Sequence, residues 1–231
     1  LTLNGKLKLL SSYVYLQVFM PLEVFQAPPT LRDQLIEFQA RQHCYPLTEL
    51  EELKEELAGY VGVYLLYYRR EFPLYSTITY ANQNSCCLPI YIGKAENPGK
   101  RTGKGTITGG LIGRLREHRN SIRQVNNLDV ADFNFTVVAM SVDLVAWGES
   151  VLIRHFQPVW CSIISGFGIH APGKGRGLQM RSLWDEIHSG RSFATTLPPN
   201  PITISSLQPQ VNQHCQNLCL RLGCPCLGER G

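Results

Sequence analysis

Two short triplets, Gly62-Val63-Tyr64 and Tyr91-Ile92-Gly93, each sit inside a run with strand character. The first run is "GVYLLYYR", Gly62 to Arg69, and the second is "LPIYIGK", Leu88 to Lys94. Valine, isoleucine and tyrosine pack well on a pleated, half-buried surface. Paired as neighbouring strands, the runs bring Tyr64 and Tyr91 to one side of a sheet, where glycine lets backbone or ligand come close. The same triplets also suit two ordinary core strands with tyrosines at the rim, so the rest of the chain must decide. Between them lies Glu71 to Cys87, a polar and aromatic insertion too long for a tight hairpin.

The chain has 231 residues, 44% of them hydrophobic, enough for one sizeable core with a small appendage. A net charge of +4 is only mildly basic, but the charge is unevenly spread. Acidic residues dominate from Glu23 to Glu56, and basic ones from Lys94 to Arg123, with a second basic group at Lys174, Arg176 and Arg181. Such asymmetry suits one basic face, the footprint of a polyanion binder. The eight cysteines belong to a chain too long to depend on disulfides. The apolar run that follows Lys6 and Lys8 ends at Phe19 without a small-residue cleavage site and is too short to span a bilayer. We therefore expect no membrane association, a reducing cytoplasm and free thiols, with Cys86 and Cys87 as small buried or half-buried side chains rather than a redox switch. Met20 is the first methionine, and we expect it to be the natural start, with residues 1–19 not native.

Hydrophobic periodicity supplies the remaining elements. Pro28-Pro29-Thr30 opens a helix with Thr30 as N-cap and Leu31, Leu35 and Phe38 on one face. Thr48 and Glu51 fit a capping box for a second helix, with Leu50, Leu53 and Leu57 as its stripe, Gly59 as C-cap and its glutamates in solvent. The stretch Lys94 to Gly110 is cationic and rich in backbone donors, but it does not match G-x-x-x-x-G-K-[ST]. It suits a loop moulded to a nucleic-acid backbone, or a solvated surface loop. Leu111 to Val125 is helical, and Arg114 and His118, four apart, are stacked neighbours on its surface. Asp132 to Met140 reads as a third strand, and Asp143 to Pro158 as a helix capped by Asp143. Glu149, alone in that apolar helix, is either at an exposed edge or a metal ligand. Glycine-rich basic turns and a short helix near Leu183 to Ile187 follow. The tail ends in Cys215, Cys219, Cys224 and Cys226, whose spacing fits no common zinc pattern. It reads as an irregular or helical tail with surface thiols.

Taken in order, "GVY", "YIG", Arg-x-x-x-His, a glutamate on a later helix and "FQPVWC" resemble the GIY-YIG nuclease superfamily. The likeness is strongest to its Type II restriction-endonuclease branch, the enzymes that cut CCGCGG. "GVYLLYY", "NLDVADF", "GFGIHAPGKGR" and a Trp-Asp-x-x-His element at Trp184 carry that finer likeness, as does the 27-position step from Tyr64 to Tyr91. The resemblance implies an α+β fold: a small, about three-stranded sheet with an antiparallel tyrosine hairpin, flanked by helices. It divides the chain into an N-terminal extension with scaffold helices (1–60), a nuclease domain with DNA-binding insertions (61–192) and a polar, cysteine-containing tail (193–231). By position, Tyr64 resembles the phenol that takes the proton from attacking water, Tyr91 the second phenol and Arg114 a phosphate ligand. His118 resembles the proton partner of Tyr64, Lys94 a further cation, and Glu149 the ligand of a single Mg2+ (or Mn2+). Cys161 stands where the branch has asparagine, and a thiol is a weaker donor and acceptor. Loss of one transition-state hydrogen bond costs on the order of a hundredfold in rate.

The chemistry is coherent. A free phenol, with a pKa of about 10, is only about one part in a thousand ionised at neutral pH. That costs roughly 4 kcal/mol, which a nearby Arg114, Lys94 or metal lowers. Lys100, Arg101, Lys104, Lys174 and Arg176 are expected to hold the double-stranded DNA backbone. A palindromic GC-rich site implies a homodimer and arginine or lysine on guanine, and a restriction enzyme implies a paired methyltransferase. Two other readings stand: a catalytically weakened DNA-binding relic, because of Cys161, and a repair or mobile-element nuclease.

Overall fold

The computed structural model describes residues 27–96, 109–169 and 179–225. The first tyrosine run forms the centre of the sheet: strand β2, Gly62–Tyr68, is buried at every position. It is flanked by β3, Tyr91–Ala95, and β4, Phe133–Ala139, both antiparallel to it. A two-residue strand, β1, Tyr45–Pro46, adds to the outer side of β4, giving the order β1-β4-β2-β3. The α+β architecture with its antiparallel tyrosine hairpin is thus present, with four strands rather than about three. The extra strand carried no signal of its own, being two residues long with a proline that only a sheet edge tolerates.

Alternation along β2 sorts the core into two layers. Tyr64, Leu66 and Tyr68 face one cluster, and Val63, Leu65 and Tyr67 face another. Over the first face lie helices α4 (Gly110–Arg123), α6 (Val159–Ser162), α7 (Leu183–Ile187) and α9 (Ile204–Leu222), each contributing to its cluster. The second face is covered by α5, Val142–Phe156, through Leu152 and Phe156, with Leu35 of α1, Pro29–Ala40, beside them. The short helices α2 (Lys54–Leu57), α3 (Ser76–Ala81) and α8 (Ser192–Thr195) fill the connections.

Several local expectations are corrected. Helix α1 starts at Pro29 with Pro28, not Thr30, in the cap position, because proline at the first helical position already supplies the right φ. The Thr48–Glu51 stretch is a 3-10 turn, Leu47–Glu51, without a side-chain cap, although Gly59 adopts φ 77° just after α2. Glu51 pairs with Arg116 and Arg119 of α4 instead of standing free in solvent. Asp143 lies in the first turn of α5, whose cap is Ser141. The tail forms a 19-residue helix opened by a Thr203/Ser206 capping box. It buries Leu207, Val211, Cys215, Leu218 and Cys219, so Cys215 and Cys219 are not surface thiols. Each such leucine or valine contributes about 1.5–3 kcal/mol. The expectation of free thiols fails for four of the eight cysteines, since Cys44 bonds Cys86 and Cys87 bonds Cys224. Spacing alone could not show that the insertion after β2 bonds back to Cys44, between α1 and β1, and on to Cys224, just past α9.

A polar chain is sealed in the first layer. Trp160 Nε1 donates to the Tyr75 hydroxyl at 2.9 Å, and that hydroxyl lies 2.7 Å from His188 Nε2. His188 Nδ1 lies 3.0 Å from Asn127 Oδ1. The set is consistent with a neutral imidazole that donates from Nδ1 and accepts at Nε2. Burial, with Arg191 nearby, pushes the His188 pKa down to about 3.

Among the described residues no helix is long and apolar enough to cross a membrane.

Candidate active site

Register builds the site. Tyr64 pairs with Gly93 across the hairpin, and Tyr91 with Leu66, so the two tyrosines are diagonal neighbours on one face with ring centroids 6.3 Å apart. Glycine is required at 93: a Cβ there would overlap the Tyr64 hydroxyl and lie 2.9 Å from Tyr91 Cε1. The apolar stripe Leu111, Leu115 and Ile122 seats α4 against this face and turns His118 inward, leaving it 3% exposed. His118 Nε2 then lies 2.6 Å from the Tyr64 hydroxyl. One turn earlier on α4, Arg114 reaches the same region and pairs with Glu117.

The other half comes from the opposite sheet face. Lys94 has the parity of Ile92 and so turns toward α5, where its Nζ lies 3.8 Å from Glu149 and 3.0 Å from Glu96. Because β3 is an edge strand, residues of both faces meet around it. They line a pocket of about 460 Å³ bounded by Tyr91, Lys94, Glu96, Arg114, Glu117 and Glu149 and by glycines 109, 110 and 113 at the start of α4. Helix N-termini favour anions.

Electrostatics separate the members. Burial holds Tyr64 well above the usual phenol range, with Tyr91 adding to the rise and Arg114 opposing it by charge and hydrogen bonding. Tyr91 is raised for the same first reason, again against Arg114. Both are therefore neutral phenols in the free protein. Glu149 is raised by burial and pulled back by Lys94. Lys94 is raised, chiefly by its hydrogen bond to Glu96. Cys161 lies alongside, its thiol donating to the Ile92 carbonyl at 3.4 Å, and burial pushes its pKa up to about 11.

Of the residues singled out in the sequence, Tyr91, Lys94, Arg114 and Glu149 line this pocket, and Tyr64 and His118 form a buried pair behind it, each in ring contact with Tyr91. Glu149 is half-buried rather than at an exposed edge. Lys100, Arg101, Lys104, Lys174 and Arg176 lie outside the described residues, as do residues 1–19 and Cys226. Sequence reasoning missed Glu96, Glu117 and Phe167. The Phe167 ring stacks on His118, with centroids 4.6 Å apart and planes at 22°, and sets its edge against Tyr91. Phe167 belongs to no periodic segment; it lies inside the "GFGIHAPGKGR" stretch that carries the family likeness, but that likeness assigned it no role. Among the described residues no three histidine, cysteine or acidic side chains form a ready metal cage. Glu149 on the pocket wall nevertheless fits a hard cation such as magnesium, which keeps most of its waters and needs only one or two protein carboxylates.

A family model described as Eco29kI GIY-YIG domain matches residues 56–215. No curated protein matches the chain.

Proposed function

The chain belongs to the Eco29kI GIY-YIG domain family, a family of GIY-YIG nucleases, and from that premise we propose that it is a Type II restriction endonuclease. It hydrolyses phosphodiesters of double-stranded DNA at a GC-rich palindrome such as CCGCGG. The observation that carries this reading is the 2.6 Å contact between the Tyr64 hydroxyl and His118 Nε2, beside a pocket lined by Arg114, Lys94 and Glu149.

Burial makes a free Tyr64 phenolate scarcer than in water, so proton transfer must be concerted. The Tyr64 oxygen takes a proton from the attacking water while its own proton passes to His118 Nε2. The water oxygen bonds to phosphorus and the P–O3′ bond breaks, the leaving oxygen being protonated from solvent. Arg114 exchanges Glu117 for a phosphate oxygen, its planar fork suiting either partner. Lys94 and Tyr91 face the same phosphate from the hairpin. When bound at Glu149, Mg2+ (or Mn2+) supplies Lewis-acid stabilisation of the phosphate and leaving oxygen.

Lys100, Arg101, Lys104, Lys174 and Arg176 hold the backbone of the duplex. The enzyme works as a homodimer, one centre for each strand of the palindrome, paired with a methyltransferase that protects host DNA. It acts in the cytoplasm, where a reducing environment opposes the two disulfides. Cys161 favours a second reading, a weakened DNA-binding relic, because a thiol is a poor hydrogen-bonding group beside the reaction.

Plasmid cleavage with magnesium tests both, using the native chain, Tyr64→Phe and Cys161→Asn. Discrete fragments from the native chain, lost in Tyr64→Phe, support the restriction enzyme and map its site. A silent native chain revived by Cys161→Asn selects the relic. Silence from all three folded proteins overturns the assignment.

A further inference from the structure

We infer that Arg191 and Asp185 are positioning residues for His118, acting through Phe167; the inference rests on the reading of Tyr64 and His118 given above. Arg191 is 2% exposed, and each of its three guanidinium nitrogens donates at least one hydrogen bond. Nε donates to Asp185 Oδ1 at 2.7 Å. Nη1 donates to the carbonyls of Phe167 at 2.9 Å and Ile169 at 3.1 Å, and Nη2 to that of Gly166 at 2.8 Å. The guanidinium lies 4.5 Å from the centre of the Trp184 ring and 4.9 Å from that of Phe193. Asp185 is held in turn, its other oxygen accepting from Ser182 Oγ at 2.6 Å.

Three of these bonds end on one four-residue segment, 166–169, whose own backbone bonding is a single turn bond from Ile169 N–H to the Gly166 carbonyl at 3.1 Å. The segment enters through Gly166 at φ 124°, where a side chain would collide with Ser182. It then lays the Phe167 ring on His118 and passes so close to Tyr91 that a Cβ at Gly168 would stand 2.7 Å from its hydroxyl. A buried ion pair is a poor stabiliser compared with apolar side chains of the same size. Its distinctive property here is geometric: a rigid planar fork holds a carboxylate and several carbonyls in one fixed arrangement, whereas the three donors of a lysine converge on a single point at the end of a flexible stem. The clamp sets the segment, the segment sets Phe167, and the stack sets the plane in which the imidazole meets Tyr64. Displacements of about 1 Å at such a centre cost on the order of a hundredfold in rate.

The test uses the full chain and three variants: Arg191→Lys, Phe167→Leu and, as a control for lost stability, Leu218→Ala in a separate cluster on α9. Two readouts are taken. The first is the imidazole ¹⁵N spectrum of histidine-labelled protein, with His118 assigned by its absence in His118→Asn. The second is single-turnover cleavage across DNA concentrations. We expect the His118 signals to move in Arg191→Lys and Phe167→Leu but not in Leu218→Ala. The cleavage rate should fall about ten- to a hundredfold in the first two, with half-saturating DNA unchanged within about threefold. Unmoved His118 signals in folded Arg191→Lys and Phe167→Leu overturn the inference, as does a loss confined to DNA affinity. If Arg191→Lys does not fold, Phe167→Leu decides alone. A native chain that cuts no DNA overturns the proposed function, and the spectra then decide the clamp by themselves.

Discussion

Among the described residues two hydrogen-bonded tyrosine–histidine pairs have nearly equal geometry, Tyr64–His118 at 2.6 Å and Tyr75–His188 at 2.7 Å. Both sit in the same core layer and both are buried. Their surroundings differ. Around Tyr75 and His188 the remaining valences are taken by Trp160 and Asn127, so the pair is a closed unit of the core. Around Tyr64 and His118 the neighbours are Arg114 and Tyr91, which line a pocket of about 460 Å³ with Lys94 and Glu149. The same two side chains thus form a strut where every hydrogen-bonding direction is filled by protein. Beside Arg114, Lys94 and an open pocket, the same two side chains are the pair to which the proposed function assigns proton transfer.

The sharpest way to break this comparison is to remove each phenolic oxygen in turn. Tyr64→Phe is expected to lower cleavage by about a thousandfold while changing stability little, as read from plasmid cleavage beside a urea titration. Tyr75→Phe should do the reverse. It strands Trp160 Nε1 and His188 Nε2 in the core, costing about 1–3 kcal/mol for each orphaned group, while cleavage stays within about threefold. Equal rate losses in both variants would end the distinction.

Acid sharpens it further. In the folded chain His188 stays neutral down to about pH 3, whereas the unfolded chain binds that proton near 6.5. Its contribution to stability is therefore complete above pH 6.5 and is lost as pH falls toward 3, by about 1.4 kcal/mol for each pH unit. Urea titrations from pH 7 to pH 4 should show that slope, and His188→Asn should remove it. The smallest effect is expected outside both pairs. Glu51, held down to about 2 first by its hydrogen bond with Arg116, keeps its contribution above about pH 4.5 and loses it as pH falls through 2. Its side chain is 47% exposed, so Glu51→Gln should cost less than about 1 kcal/mol by the same titration at pH 7.

The parts of this arrangement that follow a period were legible in the sequence. Alternation along Gly62–Tyr68 and Tyr91–Ala95 put both tyrosines on one face. His118 beside Tyr64 came from the family resemblance, because periodicity alone placed it with Arg114 on the helix surface, whereas it is 3% exposed. What periodicity cannot carry was missed. The seating of α5 against an edge strand, which turns Glu149 into the pocket, depends on how the sheet ends. Phe167 meets His118 across 49 positions through a segment with no regular structure. Arg191 reads in sequence as one more basic residue, yet it is among the most completely buried side chains of the chain. The tail's proline and polar residues left irregular and helical readings open, and the helical one holds, because Pro209 falls near the start of α9 and the helix runs on for a further thirteen residues.

The adjacent residues Cys86 and Cys87 are bonded to different partners, Cys44 before β1 and Cys224 beyond α9. One dipeptide therefore knots together an early and a late part of the chain. In the oxidised protein, a single peptide-bond break anywhere between residues 88 and 223 leaves two fragments joined as one molecule. Such a nicked chain would migrate intact on a gel until reductant released the halves.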